Sequence, residues 1–395
     1  MKLRIALVFG GKSVEHEVSV ISGIQAYMNI DREKYDVTPV YMTKDNCMYI
    51  GEDIGKMESY KDLPGLIKRS ERVILVNDSG RVRFMPYPQK LFKKNEGIET
   101  DLIFPVVHGT NVEDGALQGY FKTIGVPFVG CDVTASAVGM DKYIMKAILK
   151  EADIPLLPAS VYTLSDYEDT DKLVQKIEEK YSYPVIIKPV NTGSSVGINI
   201  ASDRNELINA LDDAFRYASR VLCERAIKEL REINCAVLGD ENEAIASECE
   251  EPLHTKDILS YEDKYVSNAG KSGSKGMASV SRKIPAEIPS ELRERIRDLA
   301  VRSFKALGCS GVARIDFMID GSDGQLYFNE INTIPGSLSF YLWESLGIPY
   351  KELLSRMIEI SLKRVRTERN LTYTFDTNIL DSASLGGAKG GKNAG

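Results

Sequence analysis

Three histidines and a single tryptophan in 395 residues set the first limits. A histidine-rich zinc site or a histidine-based catalytic triad has almost no material to draw on. The six cysteines, Cys47, Cys131, Cys223, Cys235, Cys249 and Cys309, form no CxxC pair and sit mostly among apolar neighbours. They read as reduced packing thiols, so any metal is expected on oxygen ligands. No apolar run approaches the roughly 18 residues that a membrane span requires, and the N-terminus enters a strand pattern with no signal-peptide architecture. Those absences predict a cytoplasmic chain with no membrane partner. A basic excess is missing as well: 50 Lys and Arg stand against 57 Asp and Glu, a net charge of −7. That balance argues against general nucleic-acid binding. What is present is an ordinary globular mixture, 43% hydrophobic and 27% charged, with no solenoid-period repeat and length enough for several domains of about 150 residues.

The run Leu3 to Phe9 is continuously apolar and ends in Gly10-Gly11, the pattern of a buried parallel strand turning at its carboxyl end. A helix is expected from about Ser19 to Met28, with strands over Asp36 to Tyr41 and Leu102 to Val107. Val73 to Val76 and Val82 to Met85, joined through Asp78-Ser79-Gly80, read as a hairpin within a decorating region of about 51 to 97. Alternating strand and helix signals make this part α/β. Farther on, Asp141 to Glu151 is helical and Val185 to Pro189 is a strand running into a glycine-rich turn. Antiparallel strands are expected at Arg220 to Glu224, Ile233 to Leu238 and Glu243 to Ser247. A helix over Ser290 to Leu307 precedes strands at Val312 to Ile319 and Gln325 to Ile331, and the last helix lies near Tyr350 to Thr367. The stretch Ser267 to Gly276 is too polar for a core and reads as a mobile loop, while the composition beyond Asp381 suits a disordered tail.

The strongest chemical signal is the pair Arg314-Ile315-Asp316 and Glu330-Ile331-Asn332. Side chains two apart on a strand face the same way, so Asp316, Glu330 and Asn332 are expected to converge. Two carboxylates and an amide oxygen suit Mg²⁺, and Arg314 beside them suits an oxyanion or a phosphate. A solvated face of alternating charge is the bland alternative. Lys188, at the end of a strand that enters Thr192-Gly193-Ser194-Ser195-Val196-Gly197, fits a phosphate-cradling loop or a merely flexible turn. The P-loop pattern itself is absent, and Lys142 alone reads as a surface lysine. Gly10-Gly11-Lys12-Ser13 before Glu15 and a helix is the setting in which open α/β sheets bind small anions, and Glu15 suits a ligand amine; a capping cluster explains the same residues.

Seven stretches in order, GGKSVEHEVS, HGTNVEDGALQG, GMDK, VIIKP with GSSVG, EDKY, ARIDFM and NEINTIPG, resemble the D-alanine-D-alanine ligase family of the ATP-grasp superfamily. The likeness runs from about Leu3 to about Lys363. It implies an ATP-grasp fold behind a Rossmann-like parallel α/β domain, divided as 1–129, 130–228 and 229–367 before a tail at 368–395. It implies two steps toward a peptidoglycan precursor: the γ-phosphate of ATP moves to one D-alanine carboxylate, then the amine of a second D-alanine attacks the acyl phosphate.

Carried over residue by residue, the resemblance gives Lys142 and Lys188 to the ATP phosphates, with Ser194 and Ser195 in the loop above them. Glu224, Arg225, Ala226 and Ile227 become the adenine hinge, with Glu224 on the exocyclic amine, and Glu232 the ribose acid. Asp316, Glu330 and Asn332 become ligands of two Mg²⁺, with Mn²⁺ as a substitute, and Arg314 with the Gly336 backbone the oxyanion site. Glu15 takes the first substrate's amine, His108 stands with the substrate groups, and Lys264 and Tyr265 lie on a closing loop. The segment after Gly336 looks shorter than the family's, so the second substrate is expected on Ser337 and Ser339, with D-serine, D-lactate or another acceptor open. A homodimer through the first domain is also implied. A non-catalytic binder of nucleotide and amino acid is the other reading, and paired metal carboxylates argue against it.

Overall fold

The computed structural model describes residues 2–89, 96–193, 195–253 and 282–375. Three sheets organise the chain. The apolar opening run becomes β1 (Leu3–Gly10), whose last six residues are buried. Such a strand needs cover on both edges and both faces, and it lies parallel between β2 (Tyr35–Met42) and β7 (Leu102–Val106). The expected decoration continues this sheet: β3 (Met48–Ile50), β4 (Glu71–Asp78), β5 (Arg81–Pro86) and β6 (Ile98–Glu99) add antiparallel strands, giving seven in the order β6-β5-β4-β3-β2-β1-β7. The first helix runs over His16–Asn29 from the carboxyl edge of β1. Ser19 ties that edge together, its Oγ accepting from Gly10 N–H and donating to Val106 O, both at 2.7 Å.

The second sheet is antiparallel, in the order β10-β9-β11-β8, from β8 (Ala159–Thr163), β9 (Val185–Pro189), β10 (Asn199–Ala201) and β11 (Arg220–Arg225). The helix before it, Lys142–Glu151, is capped by Asp141, whose side chain accepts from Tyr143 and Ile144 N–H. Such a cap contributes about 1 kcal/mol. The third sheet runs β14-β13-β12-β15-β16, from β12 (Leu230–Gly239), β13 (Ala244–Pro252), β14 (Arg282–Lys283), β15 (Gly311–Asp320) and β16 (Leu326–Asn332). Its face formed by Ile315, Phe317, Phe328 and Ile331 packs with Ile296, Leu299 and Phe304 of the helix Ser290–Ala306. The opposite face carries the polar residues. The final helix, Tyr350–Glu368, joins the apolar core of the first sheet through Leu353, Leu354, Met357 and Ile358. All six cysteines are free thiols and five are buried, as the sequence reading expects.

Ser194, Lys264, Tyr265, the loop Ser267 to Gly276 and the tail from residue 376 lie outside the described residues.

Candidate active site

Register sets the first part of the site. Strands β15 and β16 pair Arg314 with Asn332 and Asp316 with Glu330, while β12 sets Asn234 beside Asp316 and Glu232 beside Met318. The two-residue repeat of a strand therefore collects Glu232, Asn234, Arg314, Asp316, Glu330 and Asn332 on one face. A bulge after Asp316 leaves Asn329 unpaired in β16, and its Oδ1 accepts from Lys188 Nζ at 3.2 Å. The sequence expectation of converging carboxylates is met in the geometry, and the bulge adds a link to the second sheet that spacing does not reveal.

Arg314 grips Asp316 through Nε and Nη2, both at 2.7 Å, and Asn332 Nδ2 donates to the same carboxylate at 3.1 Å. Burial pushes the Asp316 pKa up to about 6; Arg314 pulls against it, and the charges of Glu330 and Glu232 add to it. A buried site with this much gathered negative charge favours a cation. Among the described residues no group of three or more His, Cys, Asp and Glu side chains is placed to hold a metal. Two carboxylates and an amide are nevertheless the donor set for Mg²⁺ that also takes phosphate oxygens and water, so the residues fit that ion.

The first sheet and its loops contribute Glu15, His108 and Glu113, and the second contributes Lys142, Ile186, Lys188, Ser195 and Ile198, to a cleft that the third sheet closes. Glycine makes this approach possible. A Cβ at Gly193 would lie 2.8 Å from Glu15 Oε2, and one at Gly109 would lie 2.2 Å from Ser13 Oγ. His108 is buried and bonded at both nitrogens, Nδ1 to Ile334 O at 2.8 Å and Nε2 to Ser22 Oγ at 3.0 Å. Burial lowers its pKa, so it is a neutral strut. Glu113 accepts from Gly109 N–H, Ile334 N–H and the Thr333 hydroxyl. Together these two residues fix Thr333 to Ile334, the segment that leads to Gly336.

Lys142 is buried, with Nζ donating to Thr192 O at 2.6 Å, so it is no surface lysine. Lys188 reaches the cleft and pairs with Glu224 at 3.0 Å; Lys146 pairs with the other Glu224 oxygen. Here the structure corrects an expectation. The Glu224 carboxylate is 0% exposed and held by two lysines, so its side chain does not face a ligand amine. Burial raises its pKa, but Lys188 and Lys146 more than reverse that and hold it below the ordinary value. The rest of the expected hinge is turned to other partners: Arg225 bonds Asp320 and Tyr327, and Ala226 N–H bonds Pro184 O. The apolar part of the cleft is formed instead by Ile186, Ile198, Leu230 and Met318.

Gly336 lines the cleft, but Ser337 and Ser339 do not. Residues 337 to 339 adopt left-handed backbone, with φ of 51°, 52° and 49°, which turns both serines into the core at 1% and 0% exposure. Among the described residues their hydroxyls have no hydrogen-bond partner, while Ser337 N–H donates to Ser22 Oγ. The positions that composition offers as acceptor ligands are thus turned away from the cleft. Sequence reasoning also missed Asn329, although it opens the stretch NEINTIPG, and Lys146, Glu250 and Arg282, which belong to no recognised stretch.

Comparison with known proteins agrees with this arrangement. The family model "D-ala D-ala ligase N-terminus" matches residues 4–131 and "D-ala D-ala ligase C-terminus" matches 148–359. A D-alanine--D-alanine ligase of Acetivibrio thermocellus is 42% identical over 377 residues, 92% of this chain and 96% of that protein; one of Caldicellulosiruptor bescii is 38% identical, covering 94% and 99%. Among solved structures, the VanG D-Ala:D-Ser ligase of Enterococcus faecalis matches with a TM-score of 0.75 at 32% identity, covering 91% of this chain and all of that one. The D-alanine-D-alanine ligase of Coxiella burnetii matches with a TM-score of 0.76 at 28% identity, covering 93% and 96%. The three-sheet architecture is the ATP-grasp fold, and the chain belongs to the D-Ala-D-Ala ligase family.

Proposed function

We propose that this chain is an ATP-dependent ligase that joins two D-alanine molecules through an acyl phosphate, supplying a peptidoglycan precursor. One observation carries the reading: the Arg314, Asp316, Glu330 and Asn332 face meets Lys142, Lys188 and Glu15 in a single cleft. Phosphoryl transfer to a carboxylate asks for positioning and charge neutralisation, with no covalent nucleophile from the protein. Lys142 and Lys188 neutralise ATP phosphates, and Ser195 sits in the loop beside them. Ile186, Ile198, Leu230 and Met318 take the adenine, with the Arg225 to Ile227 backbone behind them, and Glu232 holds the ribose. Glu15 pairs with the first D-alanine's ammonium. Bound through Asp316, Glu330 and Asn332, Mg²⁺ would neutralise charge on the transferring phosphate. Arg314 and Gly336 N–H hold the oxyanion that forms when the second amine attacks the acyl carbon; phosphate then leaves.

The boundaries 1–129, 130–228 and 229–367 follow the three sheets in this reading. A cytoplasmic location fits both the substrates and the lack, among the described residues, of a helix long and apolar enough to cross a membrane. A homodimer is part of the same family-based reading. D-Serine as acceptor is the second reading, favoured by the likeness to the VanG D-Ala:D-Ser ligase. Phosphate release from ATP that depends on D-alanine, with mass-spectrometric scoring of products from a panel of D- and L-amino acids and D-hydroxy acids, tests both. Phosphate release that is indifferent to D-alanine overturns the ligase reading.

A further inference from the structure

Five of the six cysteines are buried, and four of those five stand in two close pairs that take no part in lining the cleft. Cys131 follows the first sheet, and Cys309 lies between the helix Ser290–Ala306 and β15. Cys235 and Cys249 are directly opposed on β12 and β13. The surroundings of the first pair favour reaction. We propose that Cys131 and Cys309 form a reactive dithiol that hydrogen peroxide oxidises to a reversible disulfide. Nothing in this chemistry depends on the ligase reading.

Two distant stretches of chain meet at this pair. A Cβ at Gly311 would lie 3.0 Å from Gly130 Cα, so the backbones flanking the two cysteines already touch. Ser310 N–H donates to the Cys131 sulfur at 3.5 Å, and the Cys131 thiol donates to Ser310 O at the same distance. The Cys309 thiol hydrogen-bonds to that sulfur as well. Thiols already in contact need little backbone movement to bridge. Arg364 anchors the preceding residue, its Nη1 donating to Gly130 O at 2.7 Å. The bond from Cys309 first, then the Ser310 N–H and the charge of Arg364, hold the Cys131 thiol below its ordinary pKa against the effect of burial. The same bond, with burial, pushes Cys309 well above its own. The thiolate is the nucleophile in thiol oxidation, so Cys131 reacts first and Cys309 resolves. In the second pair the bond to Cys235 and burial both push the Cys249 thiol up, which makes it inert. Packing of thiols as small apolar groups explains the burial of both pairs. It does not explain an N–H, a second thiol and a cation gathered about one sulfur. Access is open to a small oxidant: a groove of about 660 Å³ is lined in part by Phe128, Asp132 and Arg364, so solvent reaches the neighbours of Cys131, itself 2% exposed.

The steps balance with peroxide as the only oxidant. The Cys131 thiolate attacks one peroxide oxygen; an S–O bond forms, the O–O bond breaks, and hydroxide leaves and is protonated to water. The Cys309 sulfur then attacks the Cys131 sulfenic acid; the S–S bond forms, the S–O bond breaks, and a second water leaves. Two thiols thereby lose two electrons and two protons, and one peroxide becomes two waters. To test this, the folded full-length chain, reduced and freed of reductant, is treated with hydrogen peroxide, denatured in iodoacetamide and read by peptide mass spectrometry. The expected product is a pair of peptides joined through Cys131 and Cys309, lighter by two hydrogens than the free peptides and lost on treatment with dithiothreitol. Cys235 and Cys249 should be recovered alkylated. Cys131→Ser should abolish the bridge and leave Cys309 alkylated, whereas Cys309→Ser should abolish it and leave Cys131 as a sulfenic acid that dimedone captures. That asymmetry separates a nucleophile and its resolving partner from two thiols that are merely adjacent. The wild-type reading needs no variant, so a serine variant that fails to fold cannot mask the result. Recovery of Cys131 and Cys309 as alkylated thiols after peroxide, or a bridge between Cys235 and Cys249 in their place, overturns the assignment.

Discussion

The coupling between the first domain and the site can be measured through Glu113. This carboxylate is buried, and it accepts from Gly109 N–H at 3.0 Å, Ile334 N–H at 2.8 Å and the Thr333 hydroxyl at 3.2 Å. Burial first, and the charge of Glu15 second, raise its pKa from 4.5 to about 7, against the lowering effect of those bonds. In the unfolded chain the group returns to its ordinary value. Between those two values the folded protein keeps a proton that the unfolded chain has released, so stability falls as pH rises. The contribution is fully present below about pH 4.5 and is lost as the pH passes through 7. A separation of about 2.5 units at 1.36 kcal/mol each corresponds to roughly 3 kcal/mol over the whole range, and about 2 kcal/mol of it lies between pH 5 and 7.5.

The comparison protein is Glu113→Gln, which keeps the shape and removes the titration. Its amide oxygen can still accept from Ile334 and Thr333, but its NH₂ meets the Gly109 N–H, a pH-independent cost of about 1 kcal/mol. Urea unfolding of both proteins across pH 5 to 8 gives the difference at each pH. The difference should shift by about 2 kcal/mol in the variant's favour as the pH rises to 7.5. His108, whose pKa burial lowers, is present in both proteins. Parallel profiles would show that Glu113 is ionised in the folded protein throughout, and the argument from burial would fail.

Two further outcomes follow from the same geometry. Glu330→Gln should abolish turnover and leave the unfolding transition in place, since it removes charge from the face that pairs Asp316 with Glu330; near-normal turnover would remove that face from the chemistry. Lys146→Met should lower stability by about 2 kcal/mol, less than the 3–5 kcal/mol typical of stranding a buried charge, because Lys188 remains on Glu224. It should also raise the ATP constant as Lys188 is drawn toward Glu224, and an unchanged melting temperature together with an unchanged ATP constant would refute the shared-charge account.

Much of the fold was legible because its determinants are local. The unbroken apolar run of β1, the alternation in β15 and β16, and the helical segment from Asp141 to Glu151 all act within a few residues, and the observed elements fall within a few residues of the expected ones. The region from 51 to 97 illustrates what local pattern cannot give. Its hairpin was evident, but whether those strands pack on the first sheet or extend it depends on which backbone edge accepts Met48 to Ile50. That edge is provided by β2, whose residues Tyr41 and Met42 pair with Tyr49 and Met48. Short strands carry too little side-chain pattern to announce such a pairing.

The site divides along the same line. Residues that share a strand face, Arg314 with Asp316 and Glu330 with Asn332, follow from a period of two, while Lys188 and Glu15 are offered by their local setting alongside a flexible turn and a capping cluster, and the family likeness decides between those readings. Residues whose role depends on a partner far along the chain do not follow in this way. Lys146 looks like any helix lysine until Glu224, 78 positions later, is found fully buried against it. Ser337 and Ser339 look like ligands until three successive left-handed residues turn them inward. A polar residue near a motif has two outlets, the cleft and the core, and backbone conformation decides between them.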